Sequence, residues 1–385
     1  MKIDTALVHL GRASADEVRA VNPPLVRAST IVSPTLDAYK ANYQGTVFDA
    51  PRYGRSGTST TFEFQRAMAA LCETEACIAT SCGLSAIVAV LGAYAEVGRH
   101  FLVSEAIYAP TRAFCETELK ACGVEVEFFT NVDDIAGLIR PETALIFVEA
   151  PASLTMEMYD LEAICSAAKA AGVPVAADTT WGTPLFLKPH ALGVNLSVQA
   201  ATKYISGHSD VMLGTITGTM EDLASVRRHC DRNGTYAAPD SCWLALRGLR
   251  TLGVRLPRHQ ETALQVARWL QGRSEVARVL FPALPDDPGY AWWCRQFSGA
   301  PGPFTFEFAP CSEDSFTRFI DALQLFSLGT SWGGFESLVM PAVAQHLRHL
   351  AVAPDEGRLL RLHVGLEDGG DLCADLEQAF VKMAV

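Results

Sequence analysis

From about residue 60 to residue 220, short runs rich in apolar and β-branched residues alternate with stretches of helical periodicity. "ACIATS" leads into "GLSAIVAVLGAYAEVG", "HFLVSE" into "PTRAFCETELKACG", and "VEVEFF" into "VDDIAGLI". "ALIFVEA" then precedes "LEAICSAAKAAG", and "VPVAADTT" runs into a loop. A strand with one face in water alternates polar and apolar residues, whereas these runs are nearly continuous, so both faces of their sheet are covered. Strands separated by helices pair in parallel, which makes this an α/β fold with a mostly parallel central sheet and helices on both faces. No GxGxxG follows a strand and no GxxxxGK[ST] occurs, which disfavours a dinucleotide fold or a P-loop.

The flanks read differently. Residues 1–54 carry Pro23, Pro24, Pro34 and Pro51 and little periodicity, as in an extended N-terminal arm. Residues 55–248 hold the sheet. The stretch 241–273 reads as one long helix kinked near Pro257, bridging into a smaller α+β unit over 249–385. That unit has strand candidates in "VARVLF", "FTFEF" and "LLRLHVGL" and a terminal helix from Asp368. A chain of 385 residues exceeds what one core usually serves, in keeping with two domains.

Composition narrows the partners. The formal charge is −12, from 43 acidic and 31 basic residues, and no Lys/Arg-rich run appears, so no nucleic-acid partner is expected. No stretch has the roughly 18 apolar residues that span a bilayer. The N-terminus lacks the apolar segment of a secretory signal, which points to the cytoplasm and no membrane partner. The eleven cysteines are scattered without zinc-ligand spacing and read as free thiols. "HLRH" (346–349) reads as an exposed helix, with no further ligands nearby to make a metal site, and His208 reads as structural.

Chemistry concentrates at three places. In "VQAATKYISGHSD" (198–210), Lys203 is surrounded by small residues that give its amine no path to solvent. Such a lysine is either an ion-pair partner or a nucleophile. Asp178 ends a parallel strand, where ligands of such sheets bind, although a loop aspartate would look the same. In "ATSCGLSAIVAVL", the N–H groups of Gly83, Leu84 and Ser85 open a helix and can cradle an anion, or simply make a tight strand–helix turn. One chemistry uses all three: pyridoxal 5'-phosphate (PLP) needs a lysine for its Schiff base, a carboxylate for its pyridinium nitrogen and a helix N-terminus for its phosphate. Desolvation by small neighbours lowers a lysine pKa and frees the amine to act.

The segments "YGRSGT" (53–58), "SCGLSA" (81–86), "EAIYAPTRAF" (105–114), "DTTWGTPLFLKP" (178–189), "VQAATKYISGHSDVMLGT" (198–215), "SLGTSWGGFESL" (327–338) and "LLRLHVGLED" (359–368) resemble the Cys/Met-metabolism family of PLP enzymes. Within it they are most similar to the bacterial β-lyases. The resemblance implies the PLP-dependent transferase fold, type I, with 55–248 as the cofactor domain. It makes Lys203 the Schiff-base lysine and Asp178 the pyridinium partner. Tyr108 stacks on the ring, and Gly83, Leu84 and Thr202 hold the phosphate. Tyr53 and Arg55 serve the phosphate of a neighbouring subunit, which implies a homo-oligomer, a dimer of dimers. Arg361 binds the substrate α-carboxylate with Ser331 and Trp332.

The implied reaction is a β-elimination on L-cystathionine or a related cysteine S-conjugate. The substrate amine displaces Lys203, whose freed amine removes the Cα proton; the pyridinium takes up the electrons and the thiolate departs. The products are a thiol (homocysteine from cystathionine), pyruvate and ammonia. The alternatives are γ-elimination or γ-replacement on the same cofactor and, more remotely, a non-catalytic homologue. Two positions depart from the family pattern: Ala200 stands where other members have serine, as in the β-lyase subgroup, and Thr330 where a tyrosine is expected. The second removes a ring from the pocket for the distal half of the substrate.

Overall fold

The computed structural model describes residues 1–12, 20–44, 48, 50–130, 135–342 and 358–383. Seven strands make the large sheet: β1 (Ala76–Thr80), β2 (His100–Ser104), β3 (Glu125–Phe129), β4 (Thr143–Glu149), β5 (Val175–Asp178), β6 (Leu196–Gln199) and β7 (Gly214–Gly218). Their order is β1-β7-β6-β5-β4-β2-β3. Neighbouring pairs from β6 to β3 are parallel, and β7 runs antiparallel to both β1 and β6. The carboxyl ends of β1, β2, β4, β5 and β6 therefore share one edge. Strand β7, "GTITG", carries little apolar signal of its own. Its Gly214 is demanded by a close approach, because a Cβ there would lie 2.2 Å from the carbonyl oxygen of Cys82.

The continuous apolar runs have the expected cause. Along β4, Leu145 and Phe147 enter one core with Ile78, Val90 and Phe101. Ile146 and Val148 point the other way, into a core shared with Val175 and Ala177. Phe304, Phe306, Leu360 and Leu362 join that second core. They come from a second sheet of β8 (Val276–Leu280), β9 (Pro303–Phe308), β10 (Ser327–Leu328), β11 (Leu338–Pro341) and β12 (Leu359–His363), ordered β10-β11-β12-β9-β8. Burial of each such side chain contributes about 1.5–3 kcal/mol, so this shared core holds the C-terminal unit against the large sheet.

Several local expectations change. The arm carries two helices, α1 (Ile3–His9) and α2 (Leu36–Gln44), and α3 (Ser59–Leu71) leads into the large sheet. The long helix is two, Pro239–Leu249 and Leu252–Gln271, with Pro257 inside the second and no break there. The chain turns instead at Arg250 and Thr251, whose N–H groups bond only three residues back, while the Gly248 carbonyl is taken by the Arg255 guanidinium at 2.9 Å. In "VDDIAGLI" the described helix is confined to Ile135–Leu138, and "HLRH" lies outside the described residues. The terminal helix spans Gly369–Met383. All eleven cysteines are free, and Cys72, Cys77, Cys115, Cys165, Cys230 and Cys242 are buried. Among the described residues, no helix is long and apolar enough to cross a membrane.

Candidate active site

The shared edge of strand ends carries the chemistry. Asp178 closes β5, and its Oδ1 accepts from Thr180 N at 3.0 Å and from Thr180 Oγ1 at 2.5 Å. Burial raises its pKa, while the Thr180 hydrogen bonds and the charge of Lys203 pull the other way. Glu149 closes β4 and is the register partner of Asp178. Its Oε2 accepts from Tyr108 N at 2.6 Å. Burial first, and the charge of Asp178 second, push Glu149 well above the ordinary carboxyl range; the Tyr108 N–H, the Ser153 hydroxyl and Arg361 oppose the shift.

Lys203 sits in the turn that leaves β6. Its backbone N–H donates to Ala200 O at 3.0 Å and its carbonyl accepts from Gly207 N at 2.8 Å. Arg255, on the helix Leu252–Gln271, braces the turn by donating to Tyr204 O at 2.8 Å. Tyr204 itself is fully buried and accepts from Gly302 N at 2.7 Å. The lysine amine therefore projects from a backbone held on two sides. Nζ donates to Ser331 Oγ at 2.5 Å and lies 5.3 Å from the centre of the Trp332 ring. Burial, and then the charge of Arg361, lower its pKa to about 8 against the pull of Asp178. This lysine is not half of a closed ion pair, and its lowered pKa gives it a neutral fraction that an ordinary lysine lacks near neutral pH.

Arg361 comes from the second sheet, on the inner strand β12. Its Nη2 donates to the Thr330 carbonyl at 2.8 Å, and burial lowers its pKa to about 10. Ser331 and Trp332 follow Thr330 on the same segment. Gly333 (φ 88°) lets that segment pass against the lysine turn, since a Cβ would fall 2.9 Å from Lys203 Cα. Below it, the fully buried His363 ring accepts the Gly333 N–H at 3.0 Å. Tyr108 precedes the helix α5 (Ala109–Phe114) and leaves its ring partly exposed.

On the opposite wall, the helix α4 (Gly83–Tyr94) starts directly after β1. A Cβ on Gly83 would lie 2.6 Å from Ala200 Cβ, so glycine is what brings the helix start up to the Lys203 turn. Thr202 Oγ1 exchanges hydrogen bonds with Leu213, accepting from its N–H at 2.9 Å and donating to its carbonyl at 3.1 Å. A cavity of about 300 Å³ is bounded by Gly83, Leu84, Tyr108, Glu149, Asp178, Thr202, Lys203, Thr330, Trp332 and Arg361. Ser331 lines its outward continuation. An amine of lowered pKa, a carboxylate and a helix start around one cavity fit pyridoxal phosphate in all three of its demands. Tyr53 and Arg55 do not line this cavity. Tyr53 is half exposed, and Arg55 donates to Asp231 O at 3.0 Å.

A mostly parallel sheet with this constellation at its strand ends defines a PLP-dependent enzyme. The chain belongs to the family described as "Cys/Met metabolism PLP-dependent enzyme", whose model matches residues 4–381. It is 40% identical to a cystathionine beta-lyase of Bordetella avium, over 99% of this chain and 98% of that one. It is 37% identical to cystathionine beta-lyase MetC of Escherichia coli, over 99% of each. Among solved structures, a cystathionine gamma-lyase from Lactobacillus plantarum complexed with L-serine superposes with a TM-score of 0.90 at 28% identity, over the full length of both chains. The type I fold expected from the resemblance is the one observed.

The site residues named from the sequence lie at this one site apart from Tyr53, Arg55 and Ser85, and the Ser85 N–H is taken by Cys82 Sγ at 3.3 Å. Glu149, Arg255 and His363 were missed. Glu149 carried the same signal as Asp178, an acid ending an apolar strand. Arg255 and His363 carried none, because their contacts are set by packing between units.

Proposed function

We propose that the protein is a carbon–sulfur β-lyase that cleaves L-cystathionine or a related cysteine S-conjugate to a thiol, pyruvate and ammonia. The observation that carries this reading is the Lys203 amine, with its pKa lowered to about 8, set between Asp178 and Arg361 in one cavity. The Arg361 guanidinium, preset by the Thr330 carbonyl, takes the substrate α-carboxylate in a two-pronged contact. That places the substrate Cα within reach of Lys203, which removes its proton and returns a proton to the departing sulfur. Ser331 holds the free amine in the cofactor-free protein. Asp178 keeps the nitrogen opposite it protonated, and Tyr108 covers one side of the cavity. Bound pyridoxal phosphate supplies the electron sink that makes the Cα proton acidic.

The finer assignments follow the same reading. Gly83, Leu84 and Thr202 bind the phosphate, and Tyr53 and Arg55 complete that site in a second copy of the chain within a dimer of dimers. Their absence from the lining of their own chain's cavity supports this division. The arm 1–54, the cofactor domain 55–248 and the C-terminal domain 249–385 are the working units, and the enzyme acts in the cytoplasm. The test is product identity from L-cystathionine. Pyruvate with homocysteine is the expected result. 2-Oxobutyrate with cysteine would replace the reading by γ-elimination, and no turnover of any thioether amino acid would sink both.

A further inference from the structure

Two carboxylates, not one, end neighbouring strands at the cavity, and the reaction described above uses only Asp178. Glu149 is a costly residue to place there. It lies half-buried beside a like charge in register across β4 and β5, and it makes no ion pair within salt-bridge distance among the described residues. Its contacts run to the other side. Oε2 takes the backbone N–H of Tyr108 at 2.6 Å. Its own N–H donates to Ser104 Oγ, at 3.1 Å, on the last residue of β2. Glu149 thus joins the end of β4 to the segment that carries the chain from β2 to α5.

Before Tyr108 that segment has its own contacts: Glu105 N–H donates to Phe129 O at 2.9 Å, Arg112 Nη2 to the Glu105 carboxylate at 2.5 Å, and Ile107 N–H to Glu105 O at 3.0 Å, which leaves the Tyr108 N–H to Glu149. Between Ser104 and α5 the chain passes through Glu105, Ala106 and Ile107 without regular structure. Tyr108 precedes α5 with no side-chain cap, and its carbonyl accepts from Thr111 N at 2.8 Å and Arg112 N at 3.1 Å. One backbone group of Tyr108 is held by the helix, and the other by Glu149. With its N–H and its carbonyl both held, the ring has only its side-chain torsions left to choose its place over the cavity.

We propose that Glu149 is a positioning residue for Tyr108: its carboxylate oxygen, by accepting the Tyr108 N–H, sets the tyrosine ring at the height where it covers the cofactor. The role needs an acceptor at that reach and does not need a charge. This inference rests on the cofactor cavity described above and deepens it by assigning a group that acts through another.

The test is the dissociation constant of pyridoxal phosphate for the cofactor-free protein, read from quenching of intrinsic fluorescence, with thermal unfolding as the folding control. Glu149→Gln keeps an oxygen at the same reach and loses the charge; its Kd is expected to stay within about twofold of wild type. Glu149→Asp keeps the charge and shortens the reach; Kd is expected to rise about fivefold or more, the scale of one lost backbone hydrogen bond. In a Tyr108→Ala background the Glu149→Asp effect is expected to vanish, since the ring through which Glu149 acts is gone. Three results would overturn the proposal: Gln as damaging as Asp, Asp as harmless as Gln, or an undiminished Asp effect without the Tyr108 ring. A wild-type protein that takes up no pyridoxal phosphate would instead strike at the cofactor site itself and leave the Glu149–Tyr108 bond standing.

Discussion

Lys203 Nζ and Ser331 Oγ meet at 2.5 Å across the junction of the two sheets. The amine is delivered by the turn after β6, and the hydroxyl by the segment between β10 and β11. Because each sheet supplies one atom, the contact reports whether the C-terminal unit is docked in register. Arg361 depends on the same docking, since its anchor, the Thr330 carbonyl, is the neighbour of Ser331. Amine, hydroxyl and guanidinium therefore form one assembly.

The lowered pKa of Lys203 sets a pH dependence in the cofactor-free protein. An ordinary lysine titrates at 10.5 and this one at about 8. A lowered pKa means the neutral amine appears earlier as pH rises: about a tenth at pH 7 and about nine tenths at pH 9. Modification of Lys203 by an amine-directed reagent, followed by peptide mass spectrometry, should rise through pH 8 and level off above 9. A rate still climbing tenfold per pH unit at 10 would show that burial does not control this amine. Lys203→Ala should fold, retain cofactor without the covalent link, and lose lyase turnover by several orders of magnitude, on the order of 10²–10⁴ for the base alone.

Asp178→Asn keeps the Thr180 hydrogen bonds within reach and removes the charge. If Asp178 holds the cofactor nitrogen protonated, kcat should fall at least about tenfold, or about 1.4 kcal/mol. A kcat within about twofold, about 0.4 kcal/mol, would remove Asp178 from that role.

Arg361→Lys preserves a positive charge and loses the fork that spans the Thr330 carbonyl and a carboxylate. We expect kcat/KM to fall about tenfold or more, about 1.4 kcal/mol. The loss should shrink for a decarboxylated analogue of the substrate. Equal losses for both compounds would place the carboxylate elsewhere.

Thr330 lines the cavity and its outward continuation with Met212. Thr330→Tyr should narrow this space and shift relative kcat/KM towards cystathionine among thioether substrates. An unchanged ranking across cystathionine, cystine and smaller S-conjugates would put selectivity outside this position.

Arg55 does not line the cavity of its own chain and is expected to serve a second copy. Lys203→Ala and Arg55→Ala chains should each be poorly active. Mixed under exchanging conditions, random pairing makes about half the dimers mixed, each with one intact site in two, so activity should recover to about a quarter of wild type. Confirmed exchange with no gain over the parental mean would assign Arg55 to its own subunit.

The parallel sheet, the strand end that carries Asp178 and the glycine start of α4 were legible in the sequence because each is a local pattern. A covered strand must be apolar throughout, and a helix that opens at a glycine must show one. The roles of Lys203, Tyr108 and Arg361 came from the resemblance. The tertiary structure alone decided that Lys203 meets Ser331 across 128 residues of chain, that Glu149 holds Tyr108 across 41, and that Thr330 sets Arg361 across 31. It also placed β7 antiparallel between β1 and β6, where neighbours on both sides supply the pairing that its own "GTITG" does not announce. The helix break at Arg250, in place of one at Pro257, belongs with these, because Arg255 takes the Gly248 carbonyl and the Tyr204 carbonyl together. Periodicity encodes which face of a segment is buried; which distant segment covers that face depends on strand order and packing, and no local window of residues contains either.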